Sequence, residues 1–344
     1  MSILHVGIFG SYNHGKTTIA KKLSQREGTA TDIAFYSFRM GERTVELVDV
    51  PGDPEKIQPA LQVASIIDAG ILVISAVDGL TAMTGEHILI LDSLNIDLGV
   101  IALTKVDLCD SSTLKKLERG IEDMVRGTSL ERFPMIETST VINTGFEEIK
   151  NELLKIETPE RKDGPFKMPV DHAFEVKANT VATGTIKRGK VGVHKTVQAL
   201  PLEKEIFIRS IQSYGVELNE AKAGDRVGIG FKEINPWEIP RGTVLCEPES
   251  LSVSKEIKCN LRVFDFYKGS VENGQRLHLS IGLQFIPVIV KLKEEIKPGK
   301  EAEIELQAEK PVVTEIGEPL FLTRPELPFG QLRICGYGKV IDLG

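Results

Sequence analysis

A chain of 344 residues is too long for one ordinary hydrophobic core and predicts two or three domains. Its 41% apolar and 26% charged residues exclude a disordered or fibrous protein. A net charge of −7 excludes broad, non-specific attraction to nucleic acid, so any RNA contact must use a local patch.

The start, Met1 to Gly10, has an apolar run without a basic flank or cleavage site, and no stretch of about 18 apolar residues follows. This predicts a cytoplasmic protein without membrane contact. Cys109, Cys246, Cys259 and Cys335 are scattered, with neither zinc-site nor disulfide spacing, and are expected as packed, reduced thiols.

Through the first third, Val- and Ile-rich runs (ILHVGIFG, TVELVDV, ILVISAV, LGVIALT) alternate with amphipathic stretches (TTIAKKLSQ, GEHILILDSL). That alternation predicts βαβ units and a mostly parallel sheet covered on both faces. A charged, proline-rich segment over 156–169 reads as a linker. Beyond it, short strand-like runs recur between Gly, Pro and Asn turns, which predicts all-β barrels with a seam near Glu247 to Ser254. The expected boundaries are 1–157, 158–249 and 250–344.

The chemistry lies at the ends of the first strands. Gly10-Ser11-Tyr12-Asn13-His14-Gly15-Lys16-Thr17 satisfies G-x-x-x-x-G-K-[ST] between a strand and a helix that opens with Thr17 and Thr18. Backbone N–H groups and the positive helix end surround phosphates, Lys16 reaches the β and γ oxygens, and the Thr17 hydroxyl ligates magnesium. Asp49-Val50-Pro51-Gly52 ends the next apolar strand, where Asp49 can hold a magnesium-bound water and the Gly52 amide can meet a γ-phosphate. Thr104-Lys105-Val106-Asp107 follows LGVIALT; its Asp can accept from guanine N1 and N2, a donor pair that adenine lacks. Thr138-Ser139-Thr140 follows FPMIE in the slot that lies against the base, and Ser/Thr clusters are also ordinary turns. All four motifs fall at carboxyl ends of expected strands, where open α/β sheets bind ligands.

In this order and with these barrels, the chain resembles the elongation factor Tu and selenocysteine-factor (SelB) family of translational GTPases. The likeness rests on Asn13-His14-Gly15-Lys16-Thr17, Asp49 to Gly52, Asp78-Gly79 with Glu86-His87, and Thr104 to Asp107, whose Thr is that of the selenocysteine branch. It extends to Met168-Pro169-Val170, Val181 to Thr185, and Leu332 to Val340. It implies an α/β P-loop GTPase domain followed by two small β-barrels, in a monomer that binds GTP or GDP with Mg2+. It also implies GTP-dependent delivery of an aminoacyl-tRNA to the ribosome. The γ subunit of initiation factor 2 shares the three domains but carries a zinc knuckle; with Cys109 alone in the first domain, zinc is not expected here.

Three departures bear on hydrolysis. Asp53 stands where the family has a water-orienting histidine, and a carboxylate beside a γ-phosphate cannot donate a hydrogen bond unless protonated, so slow hydrolysis is expected. Asp-Pro is equally a good helix start, which makes Asp53 a candidate cap for EKIQPALQVA. The segment REGTATDI is far shorter than the family's switch loop and leaves Thr29 or Thr31 as the candidate second magnesium ligand. The resemblance also implies a third domain near the last residues, so the carboxyl-terminal extension of selenocysteine factors is not expected. A hydrolysis-deficient regulator acting on tRNA or the ribosome is therefore the alternative, and barrels that bind only protein are a third.

Three further features were weighed. His87 is expected half-exposed on a helix and not a ligand, and Trp237 is expected in the core. Lys187, Arg188 and Lys190 flank a turn that could touch RNA phosphate or simply be solvated.

Overall fold

In the computed structural model, residues 2–24, 33–41, 43–53, 55–328 and 330–343 are described. They form two units, Met1–Pro159 with Pro325–Arg333, and Glu160–Arg324 with Ile334–Gly344.

The first unit is built on the strands β1 (Ser2–Gly10), β2 (Ala34–Met40), β3 (Arg43–Asp49), β4 (Ala69–Ser75), β5 (Gly99–Thr104) and β6 (Met135–Glu137). Their order in the sheet is β2-β3-β1-β4-β5-β6. All pairs are parallel except the β2–β3 hairpin. Helices α1 (Lys16–Leu23), α2 (Gln58–Ala64), α3 (Ala82–Ser93), α4 (Ser111–Val125) and α5 (Phe146–Lys155) complete the unit, so the expected mostly parallel α/β domain is present.

Strand periodicity explains the layers. Leu4, Val6 and Ile8 of β1 pack with Ile19 and Leu23 of α1 and with Ile149 and Leu153 of α5. The intervening residues point to the opposite face, where the Phe9 ring meets His87 of α3 edge-on at 5.5 Å. His5 also falls on that buried face, and its register partner Glu46 satisfies it through Nδ1···Oε2 at 2.6 Å. His87 is accordingly 1% exposed, which corrects the half-exposed expectation: α3 buries Met83, Glu86, His87, Ile90 and Leu91 together, more than one narrow stripe.

In the second unit, strand Lys167–Val176 pairs with Asn179–Thr185 and with Val244–Cys246 inside an eight-stranded, all-antiparallel sheet. Met168, Val170, Ile229 and Phe231 lie in its core. A closed barrel follows, running Ser252–Val263, Glu301–Thr314, Gln284–Lys291, Arg276–Ile281, Pro319–Thr323 and Ile334–Leu343 around its circumference. Register shifts at Ser254/Glu256 and Lys258/Cys259 bend the first strand so that it pairs on both edges and closes the ring. Within this unit Lys167 Nζ contacts Glu315 Oε1 at 3.0 Å and Glu318 Oε2 at 2.9 Å, and Arg188 reaches Glu315 at 2.7 Å. Arg188, a candidate for RNA phosphate by sequence, is thus held in an internal ion cluster.

Trp237 is 74% exposed, against the expectation of a core residue. It sits in the tight turn Pro236–Glu238, and Ile234 and Ile239 on either side occupy the core positions, so the turn projects the indole outward. Cys246, Cys259 and Cys335 are buried and Cys109 is half-buried, and none of the four is in a disulfide. Among the described residues no helix is long and apolar enough to cross a membrane, and no cluster of three or more His, Cys, Asp or Glu is placed to hold a metal.

Candidate functional site

The phosphate-loop motif leaves β1 at Gly10 and re-enters regular structure at α1, with Asn13 at φ 59° and Gly15 at φ 95°. Gly15 is the residue before the helix, and its left-handed backbone suits glycine. His14 is 1% exposed, and burial lowers its pKa, so the neutral ring can accept from the Ser75 N–H at 3.3 Å. Asn13 and Thr18 line the same cleft, of about 420 Å³, as Lys16, Thr17, Asp49 and Gly52. The structure therefore brings the first two sequence motifs to one place.

Lys16 is 6% exposed and donates to the Ser11 carbonyl at 2.8 Å. A Cβ on Gly52 would displace Lys16 Nζ and crowd the backbone at Tyr12 N, 3.0 Å away, so glycine lets the two loops meet with the lysine left in place. Burial pushes the Lys16 ammonium down to about 8, with the Asp49 charge pulling the other way. An anionic phosphate at Lys16 would favour the protonated form and raise that pKa. Nucleotide affinity is therefore expected to be flat below pH 8 and to fall roughly tenfold per pH unit above it, with proton uptake on binding. Isothermal titration with GDP in two buffers of different ionisation enthalpy checks this; a flat profile from pH 7 to 9.5 would contradict it.

Asp49 supplies the observation that bears on magnesium. Its Oδ2 accepts from Thr17 Oγ1 at 2.6 Å, while Oδ1 is buried with no hydrogen-bond partner among the described residues. Burial raises the Asp49 pKa, opposed by the Thr17 hydrogen bond and Lys16. A hydroxyl beside a carboxylate with an oxygen to spare fits a hard, hydrated cation of the Mg2+ kind, and Thr17 and Asp49 are the residues that would hold it. Thr29 and Thr31, the candidates for the further ligand, lie outside the described residues.

The guanine-side motif is tied to this loop. Thr104, at the end of β5, donates from Oγ1 to the His14 carbonyl at 2.7 Å. Lys105 adopts φ 60° and pairs with Asp78 at 3.0 Å. Asp107 is exposed on the short turn Val106–Leu108, and Val106 N approaches Thr138 O at 3.5 Å, bringing the ends of β5 and β6 side by side. Thr138 is held by Leu103 O through its N–H and hydroxyl. Ser139 is 2% exposed and its hydroxyl accepts from Val141 N at 3.1 Å and Ile142 N at 3.3 Å, so the side chain shapes the turn, while Thr140 is exposed.

Asp53 does not line the cleft. Its Oδ1 accepts from Glu55 N at 3.0 Å and its Oδ2 pairs with Lys56 at 3.3 Å; the Glu55 bond comes first among the causes that hold its carboxyl below the usual range. It closes the turn ahead of α2, whose own N-cap is Ile57.

Sequence reasoning missed three participants. Tyr36, 8% exposed, and Tyr12, 74% exposed, both line the cleft, and aromatic residues in a strand or a loop carry no binding signature. Arg333, 1% exposed, belongs to the first unit, where it is bound by Glu86 through its N–H, Nε and guanidinium, across a separation of 247 residues.

Residues 21–159 match the elongation factor Tu GTP binding domain, and residues 251–344 match domain III of the archaeal selenocysteine-specific elongation factor. The chain is 33% identical to a selenocysteine-specific elongation factor of Methanocaldococcus jannaschii, covering 100% of this chain and 81% of that one. An uncharacterized protein of the same organism is 30% identical over 99% of this chain and 100% of its own. The crystal structure of translation elongation factor SelB from Methanococcus maripaludis with the GTP analogue GppNHp superposes with a TM-score of 0.90 at 32% identity, covering 100% of this chain and 80% of that one. On these grounds the chain belongs to the selenocysteine-specific elongation factor (SelB) family of translational GTPases.

Proposed function

We propose that this protein binds GTP and GDP with Mg2+ in the Gly10–Thr17 cleft and uses the bound state to hold an aminoacyl-tRNA for the ribosome. The name of its M. jannaschii relative makes selenocysteine the first amino acid to test. The observation that carries the reading is the Thr104 hydroxyl on the His14 carbonyl, since it couples the guanine motif to the phosphate loop in one rigid frame.

In this reading the loop amides and the α1 terminus bind the phosphates, Lys16 orients the β and γ oxygens, and Asp107 accepts from the guanine edge. Magnesium, when bound, neutralises charge on the phosphate oxygens; Thr17 and Asp49 are the residues that would hold it. Asp53, ionised and engaged with Glu55 and Lys56, offers no donor to an attacking water, which supports slow hydrolysis.

The same engagement of Asp53 favours a second reading, a hydrolysis-deficient regulator acting on tRNA or the ribosome. Single-turnover GTP hydrolysis with and without ribosomes separates the two, because robust stimulated turnover excludes the regulator. Asp53→His is expected to raise the rate about tenfold to a hundredfold. An unchanged rate would show that Asp53 is not what limits it.

A further inference from the structure

The γ-phosphate end of the cleft holds one side chain that no motif explains. Tyr12 is the second variable residue of the phosphate loop, it lines the cleft, and its ring is 74% exposed. Among the described residues its hydroxyl makes no hydrogen bond. The other hydroxyls of this loop are spoken for: Ser11 Oγ is paired with Thr81 Oγ1, and Thr17 Oγ1 donates to Asp49.

The backbone locates Tyr12 along the nucleotide. The point where a Gly52 Cβ would sit is 3.0 Å from Tyr12 N and in collision range of Lys16 Nζ. Tyr12, Lys16 and Gly52 therefore converge at one place in the cleft, and the motif roles of Lys16 and the Gly52 amide put the terminal phosphate of a triphosphate there. A tyrosine hydroxyl is an O–H donor and a good partner for a phosphoryl oxygen. Asp53, the other side chain the sequence assigns to this region, is a carboxylate turned to the Glu55–Lys56 turn and supplies no donor.

We propose that Tyr12 is a specificity-determining residue that distinguishes GTP from GDP, its phenol donating a hydrogen bond to a γ-phosphoryl oxygen. The proposal rests on nucleotide binding in the Gly10–Thr17 cleft. It gives the chain a γ-phosphate reader on the loop itself, independent of the switch segment whose sequence is so short. Among the described residues nothing holds its hydroxyl, so the side chain is available to turn toward a bound nucleotide.

The test is equilibrium titration of GDP and of the β,γ-imido analogue of GTP, each with Mg2+, on the wild-type chain, Tyr12→Phe and Tyr12→Val. Tyr12→Phe keeps the ring and removes only the donor. It is expected to weaken the analogue about tenfold or more, as for loss of one hydrogen bond to a charged group, and to leave GDP within about twofold. Tyr12→Val is expected to lose the same preference. A GTP-to-GDP preference unchanged in Tyr12→Phe, or an equal loss for both nucleotides, would overturn the proposal. Wild-type protein that binds neither nucleotide would overturn the underlying reading of the cleft, an outcome distinct from either of these.

Discussion

Asp107→Ala is expected to weaken GDP binding by roughly 10² to 10⁴-fold. In the proposed function the carboxylate accepts from guanine N1 and N2, and hydrogen bonds to a charged group are worth about 1.5–3 kcal/mol each, so losing both would remove roughly 3–6 kcal/mol. Nothing in the fold should compensate, because Asp107 is exposed on the turn after β5, where its neighbours Lys105 and Thr104 are engaged with Asp78 and the His14 carbonyl. The folded state should be nearly unchanged for the same reason. Competition between GDP and ADP gives the sharper readout: the preference for guanine should collapse in the variant. Retention of that preference would place base recognition elsewhere.

Arg333→Met is expected to destabilise the first unit by roughly 3–5 kcal/mol, because it strands the Glu86 carboxylate in a dry site. Glu86 is 3% exposed and Arg333 1%, and the arginine satisfies both carboxylate oxygens with its side chain and adds its backbone N–H. The neighbouring His87 cannot substitute as a cation. Burial first, then the positive charges of Lys16, Arg333 and His14, push its pKa down to about 3, so it is neutral at pH 7. Replacing both partners, as in Glu86→Leu with Arg333→Met, removes the stranded charge and should recover much of the loss. Urea unfolding midpoints of the two single variants and the double variant form the cycle. Additive losses would show that the pair is not coupled.

The legible part of this molecule is where residue type and backbone requirement coincide. Gly15 needs a left-handed backbone and Gly52 a missing side chain, and both sit in motifs that could be read from spacing. The alternation of apolar runs and amphipathic stretches likewise carried the α/β unit, because a parallel sheet buried on both faces requires continuous Val and Ile, and short strand-like runs between Gly, Pro and Asn turns carried the barrels. Long-range pairing was not legible. By sequence Arg333 stands out only within the run Leu332 to Val340, and nothing there points to Glu86, 247 residues away; His87 reads as half-exposed until α3 is seen packed against β1, with Arg333 on its Glu86. Trp237 failed in the opposite direction: residue type argued for the core, but a turn of three residues cannot turn Ile234, Trp237 and Ile239 inward together. At the site, Asp53 could be read as a catalytic departure or as a cap, and the structure gives it the local partners of a turn cap. Tyr12 carried no signal at all, since its position in the phosphate-loop pattern accepts any residue.

In the proposed function, nucleotide state controls RNA binding. The direct measurement is the equilibrium affinity of selenocysteine-charged tRNA for the protein loaded with the β,γ-imido GTP analogue and with GDP, using the same tRNA charged with serine as control. Tighter binding in the GTP-like state is the predicted result. Equal affinity in both states, or no binding in either, would contradict it.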